Sequence, residues 1–214
     1  AYSLDAADFV QTQEAFARAT GEIGKPSVLN NSAGGSTPHR FVDMDVDQLD
    51  RTLRSNVAPC WNACKAVVPS MAEQGVGAIV NVSSLAGLIG VYGYTDYFLA
   101  KFGVVGFSEA LRSELKPNGI KVQVFCPPDT QTPGYDEENK TKPAETAALS
   151  AGANLMSAEI VARAMIDGLS SNKFVVLANR ESRMFWALQR YAPGLGRIYM
   201  DRIISRAPAK RSSP

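Results

Sequence analysis

The sequence has little of what would tie it to a metal, an oxidising compartment, a nucleic acid or a bilayer span. Its 214 residues hold three cysteines and one histidine. Cys60, Cys64 and Cys126 make an odd count without zinc-type pairing, and the spacing of Cys60 and Cys64 puts two core positions one helical turn apart. No metal site is expected, and the compartment reads as reducing and cytoplasmic. Charge of one sign is scarce as well: the net charge is +1, without the basic excess of a duplex-binding domain, so no nucleic-acid partner is expected. No apolar run approaches the roughly 18 residues of a membrane span. The first residues lack the basic start and apolar block of a secretion signal, so export is not expected. Repeats and low-complexity tracts are missing too.

What is present is an ordinary globular composition, 45% hydrophobic and 20% charged, enough for one sizeable core. The apolar pattern predicts a helix over 8–21, opening on Asp8 and ending on Gly21, then a short strand over 26–30. A helix follows over 47–74, interrupted or kinked near Pro59, and then a strand over 78–82. A third helix spans 94–116 and leads to a strand over 121–126. Beyond these come a Pro/Gly-interrupted loop over 127–143, a helix over 157–169, a strand over 174–177 and a frayed end over 207–214. Short apolar strands alternating with helices require a parallel sheet covered on both faces, because parallel strands need crossover connections. The fold class is therefore α/β: a doubly wound, Rossmann-like parallel sheet in three layers. Ligands of such sheets sit beyond the carboxyl ends of the strands, which here are 31–34, 83–87 and 127–132.

The sharpest chemical signal is Tyr97 and Lys101, four apart on one helix face, with Ser84 delivered by the end of the preceding strand. A free tyrosine titrates near pH 10. An ammonium beneath the phenol is expected to lower that pKa towards the working range. A serine hydroxyl aimed at the same substrate oxygen would hold a carbonyl where negative charge develops. The reaction these residues suit is hydride to carbon and proton to oxygen.

In this order and spacing, Asn31-Ser32-Ala33-Gly34, Asn56, Ser84, Tyr97 and Lys101 resemble the motifs of the short-chain dehydrogenase/reductase family, over residues 5 to about 132. That resemblance implies a nicotinamide cofactor, with Ser84, Tyr97 and Lys101 catalytic and Asn56 holding a water that completes a proton relay. Asn31, Ala33, Gly34, Pro127, Tyr97 and Lys101 become cofactor contacts by the same resemblance. Asp5 looks like the family aspartate that meets the adenine, or is a helix cap. Thr132 matches the family threonine that meets the nicotinamide carboxamide, or is a turn hydroxyl satisfying local backbone. The family also pairs the helices bearing Asn56 and Tyr97 between subunits, which implies a homodimer or homotetramer.

Within that family, Pro127-Pro128 stands where most members have Pro-Gly, at the head of Pro127-Pro128-Asp129-Thr130-Gln131-Thr132-Pro133-Gly134. It is similar to the branch that reduces 3-ketodihydrosphingosine. The implied substrate is a long-chain, lipid-like ketone reduced with NADPH, NADH not being excluded; a 3-oxoacyl or steroid-type ketone is the near alternative. Phe98 and Leu99 depart from the small residues usual between the tyrosine and lysine.

Two further features set expectations. From Arg180 to Pro214 eight basic residues face two acidic ones, so this segment carries +6 and the remainder −5. Met184, Phe185, Leu188, Tyr191, Leu195, Ile198 and Tyr199 recur through it at helical steps, so 180–214 reads as an amphipathic tail on a domain over 1–179. Such a tail suits peripheral contact with a membrane, or a helix pair packed on protein. Family members also begin with a strand, a glycine-rich phosphate-binding turn and a second strand, and the chain contains no such unit. Gly21-Glu22-Ile23-Gly24 follows a helix rather than a strand and is no substitute. On this reading the domain lacks its first two strands, and a non-catalytic interaction module is the competing interpretation.

Overall fold

A computed structural model describes residues 1–152 and 154–207. The frayed end expected over 207–214 therefore lies, beyond Ala207, outside the described residues. Helix α1 (Phe9–Ile23) starts where the Asp8 carboxylate accepts from the Val10 and Gln11 amides, and Gly24 closes it at φ 91°. It leads into strand β1 (Val28–Asn31). Helices α2 (Gln48–Asn56) and α3 (Ala58–Gln74) meet at Val57. The break follows from Pro59, which has no N–H to offer the Ser55 carbonyl one turn back.

Strand β2 (Gly77–Val82) precedes helix α4 (Thr95–Leu115), which leads into β3 (Ile120–Cys126). The stretch expected as loop to Pro143 is more ordered than its composition suggests. It holds a short strand β4 (Thr130–Gln131) and helix α5 (Pro133–Asn139), with Thr132 as N-cap and Pro133 in the first turn. A proline there lacks only an N–H that the helix leaves unpaired in any case. Helix α6 (Ala144–Ser150), strand β5 (Met156–Ser157), helix α7 (Ala158–Leu169) and strand β6 (Val175–Leu177) follow. The chain then forms two helices, α8 (Arg180–Tyr191) and α9 (Pro193–Ile204).

The main sheet is parallel throughout, in the order β1-β2-β3-β6. Alternate side chains of its strands enter opposite layers. Leu29, Ile79 and Val122 pack with Val67 and Met71 of α3, Leu115 of α4 and Phe16 of α1. Val80, Phe125 and Val176 turn the other way, against Val161 and Met165 of α7. These are the three layers the alternating pattern called for. Buried Gln123 on β3 fastens one of them: its Nε2 donates to the carbonyls of Gly168, Ser171 and Lys173 at 3.1, 3.1 and 2.8 Å. These bonds from a buried amide hold the end of α7 to the sheet.

Candidate active site

The loop after β1, the loop after β2 and the first turns of α4 converge at the carboxyl ends of the strands. Gly34 sits at their meeting point with φ 142°. A Cβ there would fall 2.4 Å from Asn56 Oδ1 and 3.3 Å from Lys101 Nζ, so only glycine lets the loop approach both. The Asn56 side chain clamps this loop: Oδ1 accepts the Gly35 N–H at 3.2 Å and Nδ2 donates to the Gly35 carbonyl at 2.8 Å. Its Nδ2 also donates to the Thr52 carbonyl at 3.0 Å. The amide is thereby committed to holding the loop on α2.

Ser84 caps the short turn Leu85–Gly87, its Oγ accepting the Ala86 N–H at 3.1 Å. That bond occupies a lone pair and leaves the hydroxyl proton free to donate. The hydroxyl faces the Tyr97 phenol and pulls the phenol pKa down. Burial works against it and prevails, helped by the negative charges of Glu138 and Asp129, so the Tyr97 phenol is held above its ordinary pKa. The direction is opposite to the lowering expected from Lys101. The reason is burial of both partners. The Lys101 ammonium is 5.5 Å from the centre of the Tyr97 ring, and it is itself enclosed, donating to the Val82 carbonyl at 3.4 Å. Desolvation lowers the Lys101 pKa to about 8, with Cys60 and Cys126 opposing.

The other expected residues divide into two groups. Asp5 and Ala33 line one cleft of about 380 Å³ together with Leu4, Arg54, Ser55 and Pro59. Asp5 Oδ1 accepts the Ala7 N–H at 2.9 Å and Oδ2 pairs with Arg54 at 2.7 Å. Both bonds, the backbone one first, hold its carboxyl below the usual carboxylate range. The cleft joins the Ser84, Tyr97 and Lys101 group through Ala33-Gly34-Gly35 and through α2. Asn31, by contrast, points into the core, where its Nδ2 donates to Asn81 Oδ1 at 2.9 Å and to Cys64 Sγ at 3.4 Å. Pro127 reaches the site with its backbone, its carbonyl accepting the Leu85 N–H at 3.0 Å. Thr132 caps α5, Oγ1 accepting the Tyr135 N–H at 3.2 Å, which is the local satisfaction its turn position allowed.

The sequence marks Glu138 and Lys142 only as part of a branch-specific stretch and gives no sign that they build the far wall. Glu138 of α5 accepts from Tyr94, from Ser36 Oγ at 2.6 Å and from the Lys142 ammonium at 3.3 Å, which draws α5 over the catalytic helix. The Tyr94 ring lies 6.0 Å from that of Tyr97. The available signal was Thr132-Pro133, a helix start inside a segment rich in breakers.

A family model for short chain dehydrogenase matches residues 1–143. The chain belongs to the short-chain dehydrogenase family. It is 38% identical over 94% of its length to a 3-ketodihydrosphingosine reductase of Dictyostelium discoideum, and 37% identical over 87% to a 3-dehydrosphinganine reductase of Danio rerio. It covers 60% and 56% of those two proteins, and so spans little more than half of each. Among solved structures, a short-chain dehydrogenase from Streptomyces avermitilis superposes with a TM-score of 0.77 at 21% identity, covering 94% of this chain and 79% of that one. The structure titled ElxO with NADP bound gives 0.72 at 22% identity, covering 83% and 75%. At such identities these two speak for the short-chain dehydrogenase fold.

Proposed function

We propose that this chain carries the catalytic and substrate-facing part of an NADPH-dependent reductase of a long-chain lipid ketone, of the 3-ketodihydrosphingosine type. The observation that carries the reading is the convergence of Ser84, Tyr97 and Lys101 beside Gly34, one loop away from the Asp5 cleft. The names of the relatives from Dictyostelium and zebrafish support the substrate class.

The cleft fits one end of a dinucleotide. Leu4, Ala33 and Pro59 offer apolar walls to a flat ring, and Asp5 and Arg54 offer polar edges. Gly34 removes the one side chain that would block passage from there to Lys101. Tyr97 and Lys101 would take the nicotinamide end, and a bound reduced nicotinamide supplies the hydride. The chain's own residues do the rest. Ser84 donates to the substrate oxygen and holds the carbonyl in register. Tyr97, kept protonated by burial and nearby carboxylates, gives its proton to the same oxygen as negative charge grows there. Lys101 supplies positive charge under the ring. Asn56 fixes the loop that separates the cleft from the catalytic group.

Two assembly features belong to this reading. The helices holding Asn56 and Tyr97 would pair in a homodimer or homotetramer. The exposed side of α8 and α9 would rest on a membrane surface, with the enzyme otherwise on the cytoplasmic side.

The test is consumption of NADPH by the full-length gene product. A long-chain 3-keto sphingoid base should be reduced faster than a short 3-oxoacyl thioester or a steroid ketone; equal rates would remove the sphingoid reading. Tyr97→Phe should lower turnover by about 10²- to 10⁴-fold while NADPH binding, followed by its fluorescence, persists.

A further inference from the structure

Asp129 lies in the segment after β3 that already sets this chain apart from most short-chain dehydrogenases. Its backbone is fixed on both sides. The preceding Pro127 and Pro128 have locked φ angles, and the Pro127 carbonyl takes the Leu85 N–H at 3.0 Å, which lays the segment alongside Ser84. The Asp129 carbonyl takes the Met156 N–H at 3.1 Å. The backbone that carries the carboxylate is thus held on both sides.

That carboxylate has an unusual environment. It is partly buried, and among the described residues it accepts no hydrogen bond. Its charged neighbours are Glu138 and Lys142. Glu138 is already supplied by Tyr94, Ser36 and Lys142, and the Lys142 ammonium also lies 4.5 Å from the centre of the Tyr135 ring. One ammonium against two carboxylates leaves these three groups with a net charge of −1. The surplus lies on the wall that meets Tyr94 through Glu138, with the Tyr94 ring 6.0 Å from that of Tyr97, and the charge of Asp129 acts on both phenols. A carboxylate drawn out of water without a donor is unfavourable, and a cation placed against it removes the penalty. Burial accordingly pushes the Asp129 carboxyl above its ordinary pKa, with Lys142 acting in the opposite sense.

We infer that Asp129 receives the ammonium of a substrate whose amine is on the carbon next to the ketone, and so selects α-amino ketones over neutral ketones of equal length. The inference rests on the lipid-ketone reading above, because a 3-keto sphingoid base carries its amine on the carbon adjoining the carbonyl. The amine and the reacting oxygen are then separated by two carbon atoms, which suits a carboxylate beside Tyr97. Asp129 favours the charged form of the amine, and that charge in turn lies near the oxygen that becomes an alkoxide. A bound ammonium also cancels part of the negative field that raises the Tyr97 pKa. The ligand therefore completes the electrostatics of the site.

The experiment compares two ketones of one chain length in the full-length gene product with NADPH: the free 3-keto sphingoid base and its N-acetyl derivative, which is neutral. The ratio of their kcat/KM values is the readout. The wild type should favour the free amine by about 10- to 100-fold, as for a charge-assisted hydrogen bond. Asp129→Asn should bring the ratio to near one, and Asp129→Glu should restore most of it. A ratio near one in the wild type, or one unchanged by Asp129→Asn, would overturn the role of Asp129. A variant that has merely lost its fold loses both activities, and the Asp129→Glu ratio then decides: a preserved preference supports the role, and a lost one contradicts it. Failure of the wild type to reduce either long-chain ketone would overturn the substrate reading itself, and this inference with it.

Discussion

Lys101 shows how burial and charge pull on one side chain. It is 4% exposed, and its pKa falls to about 8, against about 10.4 in an unfolded chain. Between these values the unfolded state binds more protons than the folded one, so the cost of burying the ammonium, present in full below the window, is relieved as pH rises through it. Buried cysteines complicate the raw curve, because burial raises the Cys126 thiol to about 12 and opposes the trend. Comparison with Lys101→Met isolates the lysine. Denaturant unfolding at pH 7.5 and 9.5 should show the wild type gaining up to about 2 kcal/mol on the variant over that interval. A constant difference would mean that the ammonium is better solvated than its surroundings suggest. The same residue explains why the tyrosine was misjudged from sequence. Four-residue spacing places an ammonium near a phenol, but how far each is removed from water is set by α5 and by the strands beneath, which spacing does not reveal.

At the scale of elements, the strands and long helices were legible because their patterns are strong and their ends are marked. Asp8, Ser157 and Asn179 each accept a backbone N–H as helix N-caps, and the breaks at Val57 and Ala192 sit beside Pro59 and Pro193. The meeting of Ser84, Tyr97 and Lys101 was legible for the same reason, being tied to a strand end and a helix face. The α5–α6 wall was not. Its helices are seven residues each, too short for a periodic signal, and they are held by tertiary bonds. Thr146 of α6 is fully buried, its Oγ1 donating to the Tyr92 carbonyl at 2.8 Å. A Cβ on Gly93, which has φ 84°, would fall 2.5 Å from Thr146 Oγ1 and 3.1 Å from Pro143 Cγ. Gly93→Ala should therefore dislodge α6 from the loop that leads into α4. The expected result is a loss of about 1–3 kcal/mol in unfolding free energy, with proteolytic cleavage appearing first between α5 and α6. A variant as stable and as protease-resistant as the wild type would show that α6 is not anchored there.

Across the whole molecule, the helix pair at the carboxyl end joins the domain on one side and leaves apolar surface on the other. Trp186 of α8 packs on the cluster of Val124, Cys126 and Leu177, and α9 lies against α6. Met184, Tyr191, Leu195 and Tyr199 remain 73, 82, 61 and 62% exposed, in a segment that carries +6. Among the described residues no helix is long and apolar enough to cross a membrane. If this surface rests on lipid, the full-length protein should co-sediment with vesicles containing about a third phosphatidylserine and leave them as salt is raised. Leu195→Glu with Tyr199→Glu should weaken binding at least tenfold. Binding that is indifferent to both changes would assign the surface to a protein contact instead. A last property concerns how the molecule can change over generations. Asn31 and Asn81 stand opposite each other in the β1–β2 register, and Asn81 Nδ2 continues to Ser108 Oγ on α4 at 2.9 Å. Sliding β1 by one residue would break the Asn31–Asn81 pair, and replacing any one of the three alone would remove a link from the thread. The thread therefore works as a key cut for one alignment. Substitutions along it can be accepted only together, and this part of the core should drift far more slowly than the apolar residues around it.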